Sequence, residues 1–304
     1  MTYDSEQAAR TEAEGLAARM VNKHNNYCTG FSGGKIVAAV PDLSTATLDA
    51  VIQGVSDYLN ERAGQFLTGC DLNFGEREAT RLAQTCTHVL AALDSEVHYA
   101  DATARGVIGA VRAAIDQRNI RQPRILVHGC GAVGSRIAVR LAREMSVATF
   151  DILPSRADLP RCTNISHAEW SQHPTDILVL VSASRIINEV QLSRLAPQAV
   201  VCGANIPFVD DYTEAWVRQS CLLIDEGIAS AGAVIADSIE YYAPEKWRTV
   251  APERIYAFIE QQVYNLSRGR REKVRIPLAN GLEYTPTHSS AYSRKEHFIG
   301  QRIQ

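Results

Sequence analysis

Three groups of residues in this chain have the types and spacing to do chemistry. The segment 124–142, RILVHGCGAVGSRIAVRLA, carries an apolar strand into Gly129-x-Gly131-x-x-Gly134 and on into a helix. In that context Gly129 permits a tight turn, Gly131 lets backbone approach a pyrophosphate, and Gly134 lets the helix pack close to the strand. The first N–H groups of the helix, at Ala132 and Val133, supply oriented donors. Asp151 ends the next apolar run, VATFD, where a carboxylate accepts hydrogen bonds from ribose hydroxyls and repels a 2′-phosphate. This favours NAD over NADP as the cofactor, although Arg156 stands near enough downstream to pair with such a phosphate. Plainer readings are three packing glycines without a dinucleotide and a solvated turn carboxylate at 151.

The other two groups lie earlier. Lys23 and Lys35 frame the stretch MVNKHNNYCTGFSGGK, and Asp71 closes FLTGCD. Taken singly, a lysine before an apolar run is a solvated flank and an aspartate at a strand end is a turn former. Their combination with a dinucleotide motif in one chain is what gives them weight.

These residues need elements to hold them. The chain has 304 residues, 46% hydrophobic and 21% charged, with 31 Lys+Arg against 34 Asp+Glu. That is globular composition with room for about two cores, and it excludes disordered and fibrous classes. A net charge of −3 without a basic block argues against nucleic-acid and anionic-membrane partners and for a small molecule. The polar, acidic start has no secretory pattern, and no apolar stretch reaches the ~18–20 residues of a membrane span, so a cytoplasmic location is expected. Seven cysteines without ligand spacing read as reduced, mostly buried thiols, and no metal site is expected.

Periodicity predicts helices over Glu6–Met20, Thr45–Arg62, Glu76–Leu93, Thr103–Ile115, Ser238–Tyr242 and Pro252–Ser267. It predicts strands at Lys35–Val40 and Gln65–Asp71. From Arg124 onward, strands alternate with amphipathic helices, the pattern of a parallel sheet with crossovers.

Collinear blocks extend this reading. MVNK, SGGK, TGCDLNF, DATARGVIGAVRAAI, HGCGAVGSRIA, TDILVLVSASRIIN, VVCGANIPF and IDEGIASAGAV follow one another across about Tyr3–Asp237. In that order they resemble the Glu/Leu/Phe/Val amino-acid dehydrogenase family, most closely its leucine and phenylalanine branches. The resemblance implies an α/β fold of two domains, an N-terminal α/β substrate domain over 1–106 and a Rossmann-type doubly wound parallel-sheet NAD-binding domain over 107–237. A C-terminal helical segment over 238–304 is expected to pack back toward the first domain. The implied activity is reversible oxidative deamination of an L-amino acid to a 2-oxo acid and ammonia with NAD, in the cleft between the domains. Other readings are reduction of a preformed imine or unusual 2-oxo acid, and a non-catalytic dinucleotide binder.

By the same resemblance Lys23 matches the lysine that pairs with the substrate carboxylate, Lys35 the catalytic lysine of the glycine-rich loop, and Asp71 the catalytic aspartate. Desolvation and like charge in a closing cleft would depress Lys35 toward neutrality, where it acts as general base, while Lys23 stays charged. Asn205 matches an asparagine near the nicotinamide, and Thr103 a threonine beside its carboxamide. Plain alternatives are a turn or cap at Asn205 and a helix N-cap at Thr103.

The chain also departs from the family pattern. It begins near the helix before the first lysine, so the strands that usually precede that helix are not seen. The asparagine-alanine-glycine-glycine run becomes Ser230-Ala231-Gly232-Ala233, and the ending THSSAYSRKEHF, with His288 and His297, does not match the usual last helix. Gly69 falls at a position lining the pocket in relatives, and Asn73 replaces a glycine as in some phenylalanine-specific members. A small residue at 69 leaves space, so a bulky apolar or aromatic amino acid is expected. The partner expected is a second copy of the chain, as a homodimer.

Overall fold

The computed structural model describes residues 5–269, apart from 39, 41, 43, 72 and the side chain of 246. The expectations for His288, His297 and the rest of the tail lie outside the described residues. In chain order the helices and strands are α1 (Glu6–Tyr27), α2 (Thr45–Glu61), α3 (Glu76–Ala83), α4 (Tyr99–Arg118), β1 (Arg124–His128), α5 (Ala132–Leu141), β2 (Ser146–Phe150), β3 (Thr163–Asn164) and β4 (Ile177–Leu180). They continue with α6 (Glu189–Leu195), β5 (Ala199–Cys202), α7 (Asp211–Ser220), β6 (Leu222–Ile224), α8 (Glu226–Ala229), α9 (Gly232–Tyr242), α10 (Pro244–Trp247) and α11 (Pro252–Ser267).

All six strands are parallel, in the order β3-β2-β1-β4-β5-β6. The order reverses direction between β1 and β4, which opens a crevice at the carboxyl ends of those strands. Parallel strands buried on both faces read as continuous apolar runs because each face has its own helical cover. Ile125, Val127, Ile177, Val179, Ala199 and Val201 point toward α4, α5, α9 and α11. Leu126, Leu178, Leu180, Val200 and Cys202 point the other way, toward Leu192 and Leu195 of α6 and Val217 of α7. The architecture is α/β, with a doubly wound parallel sheet.

The helices around α4 are tied by charge as well as apolar contact. Arg105 pairs with Glu260 and Arg140 with Glu253 on α11, and Arg136 of α5 pairs with Asp101. A 300 Å³ cavity between these helices is lined by Asp101, Arg105, Arg136, Arg140 and Glu253 among others.

The first hundred residues differ from the pattern reading in four places. Residues 35–38 and 40 make no ladder, and Gln65–Asp71 contributes only isolated bridges, Thr68 with Val89 and Asp71 with Phe74. A short apolar run becomes a strand only when another segment offers a free edge, and among the described residues none does so over its length. The helix expected to reach Leu93 stops at Ala83. Thr85, Thr87 and Val89 are poor helix formers, and after a turn at 84–85 the chain is held extended at 88–90 instead. Thr68 N–H donates to His88 O at 3.1 Å, and Leu90 N–H donates to Thr68 O at 2.7 Å. α1, in contrast, runs a turn and more beyond Met20, past Lys23 to Tyr27, and is closed by Cys28 in the left-handed region. Among the described residues no helix is long and apolar enough to cross a membrane. Of the seven cysteines, Cys86, Cys130 and Cys202 are buried, Cys28, Cys162 and Cys221 half-buried and Cys70 exposed.

Candidate active site

The glycine motif sits at the carboxyl end of β1, as the spacing requires. Gly129 has φ +102°, and a Cβ there would fall 2.7 Å from Ser182 N. A Cβ on Gly134 would fall 1.9 Å from Gly129 O, so helix α5 can lie this close to β1 only with glycine at 134. Around Gly131 a Cβ would meet nothing within 4 Å, so space stands open over the loop. Gly131 caps α5 without a side-chain bond, which leaves the N–H groups of Ala132, Val133 and Gly134 as orphan donors facing that space. Open space over Gly131, beside three N–H groups that have no partner within the helix, fits a dinucleotide pyrophosphate.

Asp151 is buried at the end of β2, with Oδ2 accepting Cys130 N–H at 2.8 Å and Oδ1 accepting Leu153 N–H at 2.9 Å. It therefore shapes the glycine loop as well as standing beside it, and each oxygen keeps a lone pair for a ribose hydroxyl. Arg156 is exposed on the short turn that follows.

The two lysines sit in different settings. Lys23 is buried near the end of α1, and its Nζ donates to Asn205 Oδ1 at 2.9 Å. Asn205 stands in the loop after β5, where its carbonyl accepts the Ser184 hydroxyl at 2.9 Å. Burial pushes Lys23 down to about 8; Glu226 opposes the shift, while Lys35 and Arg19 reinforce it. Lys35 is ion-paired with Asp71. Its own burial lowers it to about 8 as well, with Glu12 opposing. The expected contrast, a depressed Lys35 beside an ordinary Lys23, is thus absent, because the same desolvation acts on both. What separates them is the partner, an amide for Lys23 and a carboxylate for Lys35.

Several residues that frame this site escaped the sequence reading. Glu226 of α8 is buried and ion-paired with Arg19, one turn before Lys23 on α1. Asn26 Nδ2 donates to Gly227 O at 3.0 Å and Tyr27 OH donates to Ile228 O at 2.7 Å, so α1 is fastened to α8 along its last three turns. His24, next to Lys23, bonds Thr29 Oγ1 through Nδ1 at 2.6 Å, and burial together with Lys23 lowers it to about 4, so it is neutral. The available signal was helical spacing, since Arg19, Lys23 and Asn26 share one face of α1.

Two expectations change in detail. Thr103 is interior to α4, whose N-cap is His98, so it is no cap. It lies where α9 begins, since a Cβ on Gly232 would fall 2.0 Å from Ala102 O and 2.7 Å from Thr103 Cα. Gly69 owes its size to packing, because a Cβ there would fall 2.2 Å from Leu90 O. Its smallness is demanded by a neighbouring backbone and is no measure of pocket space.

No protein-family model matches the chain. An L-tryptophan dehydrogenase from Nostoc punctiforme is 23% identical over 247 residues, 77% of this chain and 69% of that protein. An NAD-specific glutamate dehydrogenase from Staphylococcus aureus is 27% identical over 206 residues, 57% of this chain and half the length of that relative. Among solved structures, the L-tryptophan dehydrogenase from Nostoc punctiforme superposes with a TM-score of 0.67 at 20% identity, covering 88% of this chain and 78% of that one. A hetero-hexameric glutamate dehydrogenase from Thermus thermophilus gives 0.69 at 21% identity, over 84% and 70%. The collinear motifs and these sequence relatives, on a fold shared with those structures, make the chain a distant homologue of the Glu/Leu/Phe/Val amino-acid dehydrogenases.

Proposed function

We propose that the chain is an NAD-dependent amino-acid dehydrogenase, converting an L-amino acid to a 2-oxo acid and ammonia and running the reverse reductive amination. The observation that carries this reading is the pair of contacts Lys23–Asn205 and Lys35–Asp71, close enough for Lys35 to act on the charge of Lys23. The relatives named as tryptophan and NAD-specific glutamate dehydrogenases support it.

In this reading Gly129, Gly131 and Gly134, with the N–H groups of Ala132 and Val133, hold the pyrophosphate, and Asp151 holds the ribose. When bound, the dinucleotide would supply the acceptor for the hydride of Cα. Lys23, protonated at neutral pH, binds the substrate carboxylate, and Asn205 and Thr103 orient the amide groups nearby. Once the hydride has left Cα, Lys35 takes a proton from the water that attacks Cα of the resulting iminium, and ammonia leaves as the C–N bond breaks. Asp71 carries the proton of the amine. Placing these groups around one carbon contributes through orientation and water exclusion.

A bulky apolar or aromatic side chain is the proposed preference. With Gly69 accounted for by packing, its support is the tryptophan dehydrogenase relative alone. A homodimer is the proposed assembly, which sedimentation velocity would read directly. The deciding experiment follows NADH absorbance with amino acids plus NAD or NADP, and with 2-oxo acids plus NADH, with and without ammonium. Ammonium-dependent consumption of NADH with one 2-oxo acid is expected. NADH binding without turnover across the panel would overturn the reading, in favour of an imine reductase or a non-catalytic binder.

A further inference from the structure

The catalytic pair is carried by a lobe that has its own core. Ile52, Leu59, Leu82 and Cys86, with Ile36, Val55, Phe66, Phe74 and Val89, pack among themselves. Tyr27, Ala92 and Val97, on either side of that stretch, belong instead to the core beneath the sheet. Helices α2 and α3 pack substantially only on each other. The chain therefore leaves the sheet-bearing body after α1, forms the lobe that holds Lys35 and Asp71, and re-enters the body near Ala92.

Helix α9 grips both crossings. On the outgoing side Ser238 Oγ donates to Thr29 O at 2.7 Å, and Tyr242 OH donates to Gly30 O at 3.0 Å. Gly30 has φ +83°, and a Cβ there would fall 2.3 Å from the Tyr242 hydroxyl, so only glycine lets the ring come this close. Phe31 packs on Tyr241 and Tyr242, with ring centroids 5.1 and 5.6 Å away. On the returning side Ala92 N–H donates to the Glu240 carboxylate, 3.1 and 3.2 Å from its two oxygens, and Tyr99 OH donates to the same carboxylate.

We propose that Tyr242 and Glu240 are positioning residues, which pin the outgoing backbone at Gly30 and the returning backbone at Ala92 to one helix and so set where Lys35 and Asp71 stand over the cleft. The proposal rests on reading Lys35 and Asp71 as the catalytic pair. Both residues act through the backbone they hold. Loss of either anchor should therefore misplace the lobe without disturbing the dinucleotide site.

The test uses the full chain with Tyr242→Phe, which keeps the ring and removes the hydroxyl, and Glu240→Gln, which keeps an acceptor and removes the charge. Steady-state kinetics and amide hydrogen exchange are measured on both, with Ser238→Ala as a milder third variant. One hydrogen bond lost corresponds to about a three- to tenfold effect. The expected result is a fall in kcat of that size with the KM for NAD unchanged. Exchange should quicken in peptides spanning 28–36 for Tyr242→Phe and 90–98 for Glu240→Gln, and should stay unchanged in the sheet. Exchange at the wild-type level in both variants would overturn the proposal, as would faster exchange with unaltered kcat. If the wild-type chain turns over no amino acid, the dehydrogenase reading fails. Exchange then decides the anchoring by itself: quickened local exchange upholds it, and unchanged exchange removes it.

Discussion

Lys23 Nζ and Asn205 Oδ1 stand 2.9 Å apart, although 182 positions separate the two residues in the chain. One comes from the last turns of α1 and the other from the loop at the carboxyl end of β5, beside the point where the strand order reverses. The contact places a buried ammonium at the crevice in which this type of sheet receives ligands. In the proposed function a substrate carboxylate arriving there meets a donor already held by an amide, its charge favoured by Glu226 and opposed by Arg19.

Replacing Lys23 by glutamine removes that charge and keeps a donor. A charge-assisted hydrogen bond lost from binding corresponds to about a 10- to 100-fold rise in the KM for the amino acid. NAD affinity, read by quenching of protein fluorescence, should stay at the wild-type level. An unaltered amino-acid KM would take Lys23 out of substrate binding.

Lys35→Ala should lower kcat by about 10²- to 10⁴-fold, the usual contribution of a positioned proton-transfer group, with NAD binding near normal. In the wild type, burial holds Lys35 at about 8, and the base form is the deprotonated one. The oxidative rate should therefore rise with pH through about 8 and level off above it. Full activity in the alanine variant would exclude Lys35 from the mechanism.

The glycine motif offers a contrast within four residues. Gly131→Ala adds a methyl to open space, so the melting temperature should hold while the KM for NAD rises. Gly134→Ala drives a Cβ into Gly129 O, so the melting temperature should fall by several degrees, in line with about 1–3 kcal/mol of overpacking. Equal thermal shifts in the two variants would contradict the separate roles given to the two positions.

Stability should depend on pH at both ends. His24 and His128 are lowered by burial from 6.5 to about 4, so the unfolded chain binds protons that the folded one refuses. Their contribution is intact above 6.5 and is lost as pH falls from 6.5 towards 4. Lys23 and Lys35 are lowered from 10.5 to about 8, and by the same sign their burial weakens the fold most below 8 and is relieved as pH rises from 8 towards 10.5. Urea unfolding across this range checks both, and the acid limb should flatten in His24→Gln.

Local signals were enough to locate the dinucleotide motif and, apart from the two-residue β3, the strands of the sheet. Gly129, Gly131 and Gly134 each need glycine for a reason set by adjacent chain, a turn, an open approach and a helix lying on its own strand. Apolar runs such as ILVL at β4 announce burial on both faces without further context. The lysines and Asp71 could be singled out only as an ordered set, because nothing in the neighbours of any one of them distinguishes a catalytic group from a solvated one.

Tertiary structure alone decided the rest. It turned two expected strands into extended segments, since a ladder depends on an edge supplied from elsewhere in the chain. It gave Lys23 and Lys35 the same lowered protonation range, since desolvation depends on what packs around a side chain and not on its sequence neighbours. It assigned Gly69 to packing against Leu90, and it brought Glu226, Ser238, Glu240 and Tyr242 from after the last strand to hold residues 19 to 99. The contacts of Glu226, Ser238, Glu240 and Tyr242 join segments more than a hundred residues apart, a separation over which periodicity and motif spacing carry no information.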